Sequence, residues 1–141
     1  MNRKDKEIAI ALACGAKWQE VPAQSGNFYD SLSEEERNFS DQLHPKRILS
    51  FRAYDFQSPI CAPLPFPDSK GDAVSIPDYF NDINAMHEAE SILDDLQQCQ
   101  FCDALFRLMN SPDGVSEFMK VHATASQRAE AFGITLNLWK P

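Results

Sequence analysis

The chain has 141 residues, a length at which one domain can bury about two thirds of its unfolded surface, so neither a disulfide nor a metal is needed to hold it together. Hydrophobic residues make up 43% and aromatic residues 11%, with ten Phe and two Trp, which excludes a disordered chain. Thirteen basic against twenty-one acidic residues give a net charge of −8, and that field argues against sequence-independent binding to nucleic acid or to an anionic membrane.

From Asn2 to Cys14 the residues Ile8, Ala9, Ala11, Leu12 and Ala13 gather on one side, and Gly15 follows as a stop, which predicts an amphipathic helix. Arg3, Lys4 and Lys6 crowd its first turn and oppose the helix dipole, so that turn is expected to fray. No apolar run reaches membrane-spanning length and no cleavage site follows the first helix, so a cytoplasmic location is expected. The four cysteines, Cys14, Cys61, Cys99 and Cys102, are then expected as reduced thiols.

Trp18 and Val21 suggest a short strand, Ser25-Gly26-Asn27 a turn, and Ser33 a cap on a helical turn through Arg37. Over residues 47–56, Leu49, Phe51 and Ala53 alternate with Ser50, Arg52 and Tyr54, the period of a strand. Pro59, Pro63, Pro65 and Pro67 forbid regular structure as far as Gly71. Beyond Pro77, Ile83, Met86, Leu93 and Leu96 recur at helical spacing, with Asn81, Asp82 and Asn84 available as caps. A second helical stretch carries Phe101, Leu105, Leu108 and Met109 and ends in the turn residues Asn110 to Gly114. Val115 to His122 reads as a short strand, and Thr124 with Gln127 forms a capping box that starts a last helix at Ala125. Gly133 weakens that helix by roughly 1 kcal/mol relative to Ala. Leu138 and Trp139 are expected to pin the C-terminus to the body. The fold class is α+β: a single domain over 1–141, two or three helices packed on a small antiparallel sheet.

Asn81, Asp82, Asn84, His87 and Glu88 belong to the densest polar segment, and helical spacing brings Asn84 and His87 or Glu88 within one turn. His87 can act as a base oriented by Glu88 or Glu90. The same residues can instead be caps and solvated flank. A zincin would need a second His at 91, which is Ser. Cys99 and Cys102 form a C-x-x-C inside a helix rather than at a helix start, so two ordinary buried thiols are expected. Zinc would need two further ligands at ligand spacing, and Cys14, Cys61, His44, His87 and His122 are scattered, so no metal is expected. No nucleophile elbow and no phosphate-binding glycine loop occurs, and no cofactor is expected. His122 and Arg128 flank the last helix; Arg128 can grip a phosphate or carboxylate, or cover apolar surface and pair with an acid.

Ala11 to Trp18 (ALACGAKW), Pro77 to Glu90 (PDYFNDINAMHEAE), and His122 to Phe132 (HATASQRAEAF) with Leu138-Trp139-Lys140, in that order, together resemble the small phage proteins grouped as the phage ABA-sandwich domain. The chain departs at Ala16, where relatives often carry Trp, and at Gly133-Ile134. The resemblance implies an α/β/α sandwich-like fold with a variable insert at about 19–75 and a phage or prophage origin. It transfers no catalytic residue.

Three functions compete. The first is a non-enzymatic phage accessory protein that binds a host protein, such as an inhibitor of antiviral defence; it requires an exposed apolar or acidic patch. The second is a binder that sequesters a small nucleotide signal through His87, His122 and Arg128. The third is an enzyme using His87 with a neighbouring carboxylate.

Overall fold

The computed structural model describes residues 1–56, 64–109 and 122–139. The fold is α+β, and by internal contacts the chain divides into two compact units: Met1–Cys14 with Pro77–Pro141, and Gly15–Ile76. The second unit lies close to the 19–75 segment read above as an insert.

The first unit is helical among the described residues. Helix α1, Arg3–Ala13, is capped by Asn2, whose side chain accepts from the Asp5 amide, and Ile10 and Ala11 are buried. The basic first turn is paired: Arg3 Nη2 reaches Asp78 Oδ1 at 2.7 Å and Lys6 Nζ reaches Glu130 Oε1 at 2.7 Å. These bonds offset the unfavourable dipole from which fraying is expected.

The periodic stretch from Ile83 to Leu96 is two elements rather than one helix, interrupted at Ser91. Ser91 Oγ turns back onto the Glu88 carbonyl, Ile92 and Leu93 make tight i to i−3 bonds, and Asp94 opens a new helix. We label the helices of this unit α4, Ile83–Glu90, and α5, Asp95–Leu108; Asp94 and Gln97 form a reciprocal capping box. Leu96, which belongs to the apolar spacing read above, is exposed at this junction, and Ile92 is exposed beside it. The last helix, α6, Ala125–Thr135, has the capping box of Thr124 and Gln127. Helices α1, α4 and α5 all pack against it.

Helix α6 ends in a Schellman motif. The Leu138 amide bonds the Gly133 carbonyl at 2.8 Å and the Asn137 amide bonds Ile134 at 3.1 Å, with Asn137 left-handed at φ 55°. The reversal carries Trp139 onto the helix it has just left, where a Cβ at position 133 would fall inside the indole. Glycine is therefore the residue that admits the C-terminal Trp.

The second unit holds a three-stranded sheet in the order β1-β2-β3, formed by Lys17–Glu20, Arg47–Ser50 and Asp72–Ser75. It also holds α2, Asn27–Asp30, and α3, Glu34–Leu43. The sheet is mixed rather than antiparallel: β2 runs antiparallel to β1 and parallel to β3. A parallel neighbour needs a long crossover, which the Pro-rich connection from 51 to 71 supplies. Strand β2 is shorter than the 47–56 expected. Ile48, Leu49 and Ser50 are all buried in this central strand, so alternation does not describe it, and Phe51 lies beyond it at 50% exposure. The turn at Asn110 to Gly114 and the strand expected from Val115 lie outside the described residues.

Candidate functional site

The seven candidate residues occupy different settings. Asp82 caps α4: its Oδ1 accepts from the Asn84 amide at 3.0 Å and the Ala85 amide at 3.2 Å. Asn81 Nδ2 donates to Asp78 Oδ2 at 2.8 Å, and the same carboxylate takes the Arg3 bond. Hydrogen bonds from Asn81, Arg3 and Glu7, in that order, hold Asp78 down to about 2. Burial, then the facing Asp78 carboxylate, pushes Glu7 up. Arg3 also lies over the Phe80 ring, 5.6 Å from its centroid. Asn81 and Asp82 thus fasten the start of α4 to itself and, through Asp78, to α1.

Asn84, His87 and Glu88 are exposed on α4, and among the described residues no hydrogen bond orients the His87 ring. An imidazole serving as a general base needs an orienting partner or a substrate to fix it. His122, ahead of α6, is exposed as well. Arg128 differs from both. It is 5% exposed, and its Nη1 bonds Glu90 Oε1, tying α6 to α4. The pairing of Arg128 with an acid is the structural reading of this residue, and a buried guanidinium already engaged by Glu90 is poorly placed to receive a ligand. A second cluster lies on the same helix: Glu130 accepts from Lys6 at 2.7 Å and from Trp139 Nε1 at 3.1 Å, and the Lys6 ammonium sits 5.1 Å from the Trp139 ring centroid.

An exposed surface of another kind lies on the second unit. Ser33 and Glu36 form a capping box that starts α3, yet none of the ten residues of that helix is buried. Phe39 is 65% exposed, Leu43 44%, and Phe28 on α2 81%. Phe39 and Leu43 lie one turn apart, at i and i+4, on one face of α3, and Glu35 and Glu36 precede Phe39 by one turn on that side. An open depression of about 1030 Å³ runs along α3, lined by Leu32, Phe39 and Glu34 to Glu36. Tyr29 holds α2 against α3 by donating to Asp41 Oδ2 at 2.7 Å, and that bond pushes the Tyr29 hydroxyl up. His44 Nε2 donates to the Pro22 carbonyl at 2.8 Å, and Ser40 donates to Gln24 at 2.8 Å. The helix is therefore tethered by polar contacts while its apolar stripe faces outward.

Cys14, Cys99 and Cys102 are free thiols. Cys99 is exposed and Cys102 half-buried, not the buried pair expected, because they fall on the outward side of α5 while Phe101, Ala104 and Leu105 take the core. Burial pushes the Cys14 thiol up to about 11. Among the described residues no group of three or more His, Cys, Asp or Glu is placed to hold a metal, and no helix is long and apolar enough to cross a membrane.

The α3 surface escapes a sequence reading that stops at its helical turn. The signal for it is nonetheless present, in the i, i+4 spacing of Phe39 and Leu43 next to Glu34-Glu35-Glu36. The long-range pairs Arg3 with Asp78 and Lys6 with Glu130 leave no comparable local trace. No protein-family model, curated protein or solved structure matches the chain.

Proposed function

We propose that the chain is a non-enzymatic accessory protein of a phage or prophage that acts by binding a host protein, with a component of antiviral defence as the class of target. The observation that carries this reading is the acidic, aromatic face of α2 and α3. Phe28 on α2 and Phe39 and Leu43 on α3 stand in solvent, on two helices with no buried residue, and Glu34, Glu35 and Glu36 open α3. Exposed aromatics at the centre of a polar rim are what a protein interface uses as anchors. A partner fitting this face has an apolar groove rimmed by Lys or Arg. The phage assignment rests on the resemblance of the Ala11, Pro77 and His122 stretches to the ABA-sandwich family. Binding is favoured over catalysis because Asp82 serves as a cap, Asn81 is tied to Asp78 and Glu90 holds Arg128.

The test compares the tagged wild type with the double variant Phe39→Ser/Leu43→Ser in parallel purifications from a cross-linked bacterial lysate. Both proteins should give the same circular dichroism, since neither side chain is in the core. One host protein should be retained in stoichiometric amount by the wild type and at least about tenfold less by the variant. Equal retention by both, or no retained protein, overturns the reading.

A further inference from the structure

The second unit carries a concave site of opposite electrostatic character to the chain as a whole. At the end of the β1–β2 pair, where Lys17 lies opposite Ser50, a pocket of about 460 Å³ opens between the strands and the segment that leaves β2. That volume lies within the usual range of small-ligand sites. Its walls include Lys17, Trp18, Phe51 and Arg52 and no carboxylate, in a chain with twenty-one acidic residues. Among the described residues neither Lys17 nor Arg52 forms an ion pair, so both charges stay available to a ligand.

The pocket is also built before any ligand arrives. Gln19 clamps the segment after β2 by both ends of its amide: Nε2 donates to the Tyr54 carbonyl at 2.6 Å and Oε1 accepts from the Tyr54 amide at 2.9 Å. Ser50 Oγ donates to the Arg52 carbonyl, which turns the chain so that Phe51 and Arg52 project at the rim. Trp18 is held by Arg47, whose guanidinium lies 3.9 Å from the ring centroid and is itself fixed by two bonds to Asp72, at 2.6 and 3.0 Å. Arg52 lies over the Tyr54 ring at 5.7 Å. Immobilised walls lower the ordering cost of binding.

We propose that this pocket binds a small nucleotide, with the base against Trp18 and Phe51 and the phosphate between Lys17 and Arg52. Aromatic faces accept any base by stacking, and a guanidinium with an ammonium supplies charge-assisted donors to phosphate oxygens. The same chemistry exists in single-stranded nucleic acid, but a polymer would bring many phosphates towards a chain of net charge −8. This ligand site is independent of the α3 surface.

The experiment titrates AMP into the isotopically labelled full chain and follows backbone amide shifts, with inorganic phosphate and a single-stranded oligonucleotide as parallel probes. Shifts should centre on residues 17–19 and 50–53, AMP should bind more tightly than phosphate alone, and the Lys17→Ala/Arg52→Ala variant should weaken AMP by at least about tenfold with an otherwise unchanged spectrum. Trp18→Phe should retain part of the affinity and Trp18→Ala lose more. The proposal is overturned if millimolar AMP leaves these amides unmoved or moves amides elsewhere, if phosphate binds as well as AMP, or if the oligonucleotide binds more tightly than the mononucleotide.

Discussion

Gly133 sits in the interior of α6, where glycine lowers helix stability by about 1 kcal/mol relative to Ala. Its place is explained by Trp139, whose indole occupies the volume a methyl group would take. Two effects therefore oppose each other in Gly133→Ala: a propensity gain of about 1 kcal/mol and the displacement of a Trp that is 7% exposed. Displacement also breaks the Trp139 bond to Glu130 and uncovers Lys6, so the steric effect wins. Overpacking of this kind costs about 1–3 kcal/mol, so with the propensity gain set against it chemical denaturation should show Gly133→Ala less stable than the wild type by up to about 2 kcal/mol. A more stable variant would mean that the Trp139 contact contributes little. Trp139→Leu should then tolerate Ala at 133 better than the wild type does, a coupling that a double-mutant cycle measures.

The capping boxes decide where helices begin, and they are the elements the sequence states most directly. Thr124 and Gln127 mark the start of α6, and Asn2 and Gly15 bracket α1. The α4–α5 junction follows the same rule, but hydrophobic spacing across Ile83 to Leu96 obscures it: Asp94 and Gln97 carry a capping signature within an apparently continuous pattern. Period alone cannot tell one long helix from two in register, and the local competition of Asp94 and Ser91 with the helical ladder decides it. Asp94→Ala should cost about 1 kcal/mol and reduce amide protection over 95–98 without loss elsewhere, as read by hydrogen exchange. Uniform loss of protection would show that α5 is held by α6 packing rather than by its cap. Strand β3 was not legible, because its four residues follow a Pro-rich run and acquire their conformation from pairing with β2. The same distinction separates the parts of the candidate site. Arg128 is recognisable as a residue that needs an acid, but its partner Glu90 lies 38 positions away and only tertiary structure supplies it.

At the scale of the molecule, net charge sets two effects of opposite sign. Eight excess negative charges repel one another in the compact state, so added salt relieves that repulsion and raises stability. The proposed partner surface works through attraction between Glu34, Glu35 and Glu36 and a basic rim, and the same salt weakens it. The screening length falls from about 10 Å at 0.1 M to about 3 Å at 1 M, so both effects should develop over one range. The exposed pair of Arg3 with Asp78 is screened as well, but an isolated surface pair contributes little and does not reverse the trend. Between 0.05 and about 0.5 M NaCl the melting temperature should therefore rise while retention of the host protein falls. Retention that holds constant across that range would assign the interaction to Phe28, Phe39 and Leu43 without electrostatic help. Retention that falls together with the melting temperature would mean that loss of fold, rather than screening at α3, releases the partner.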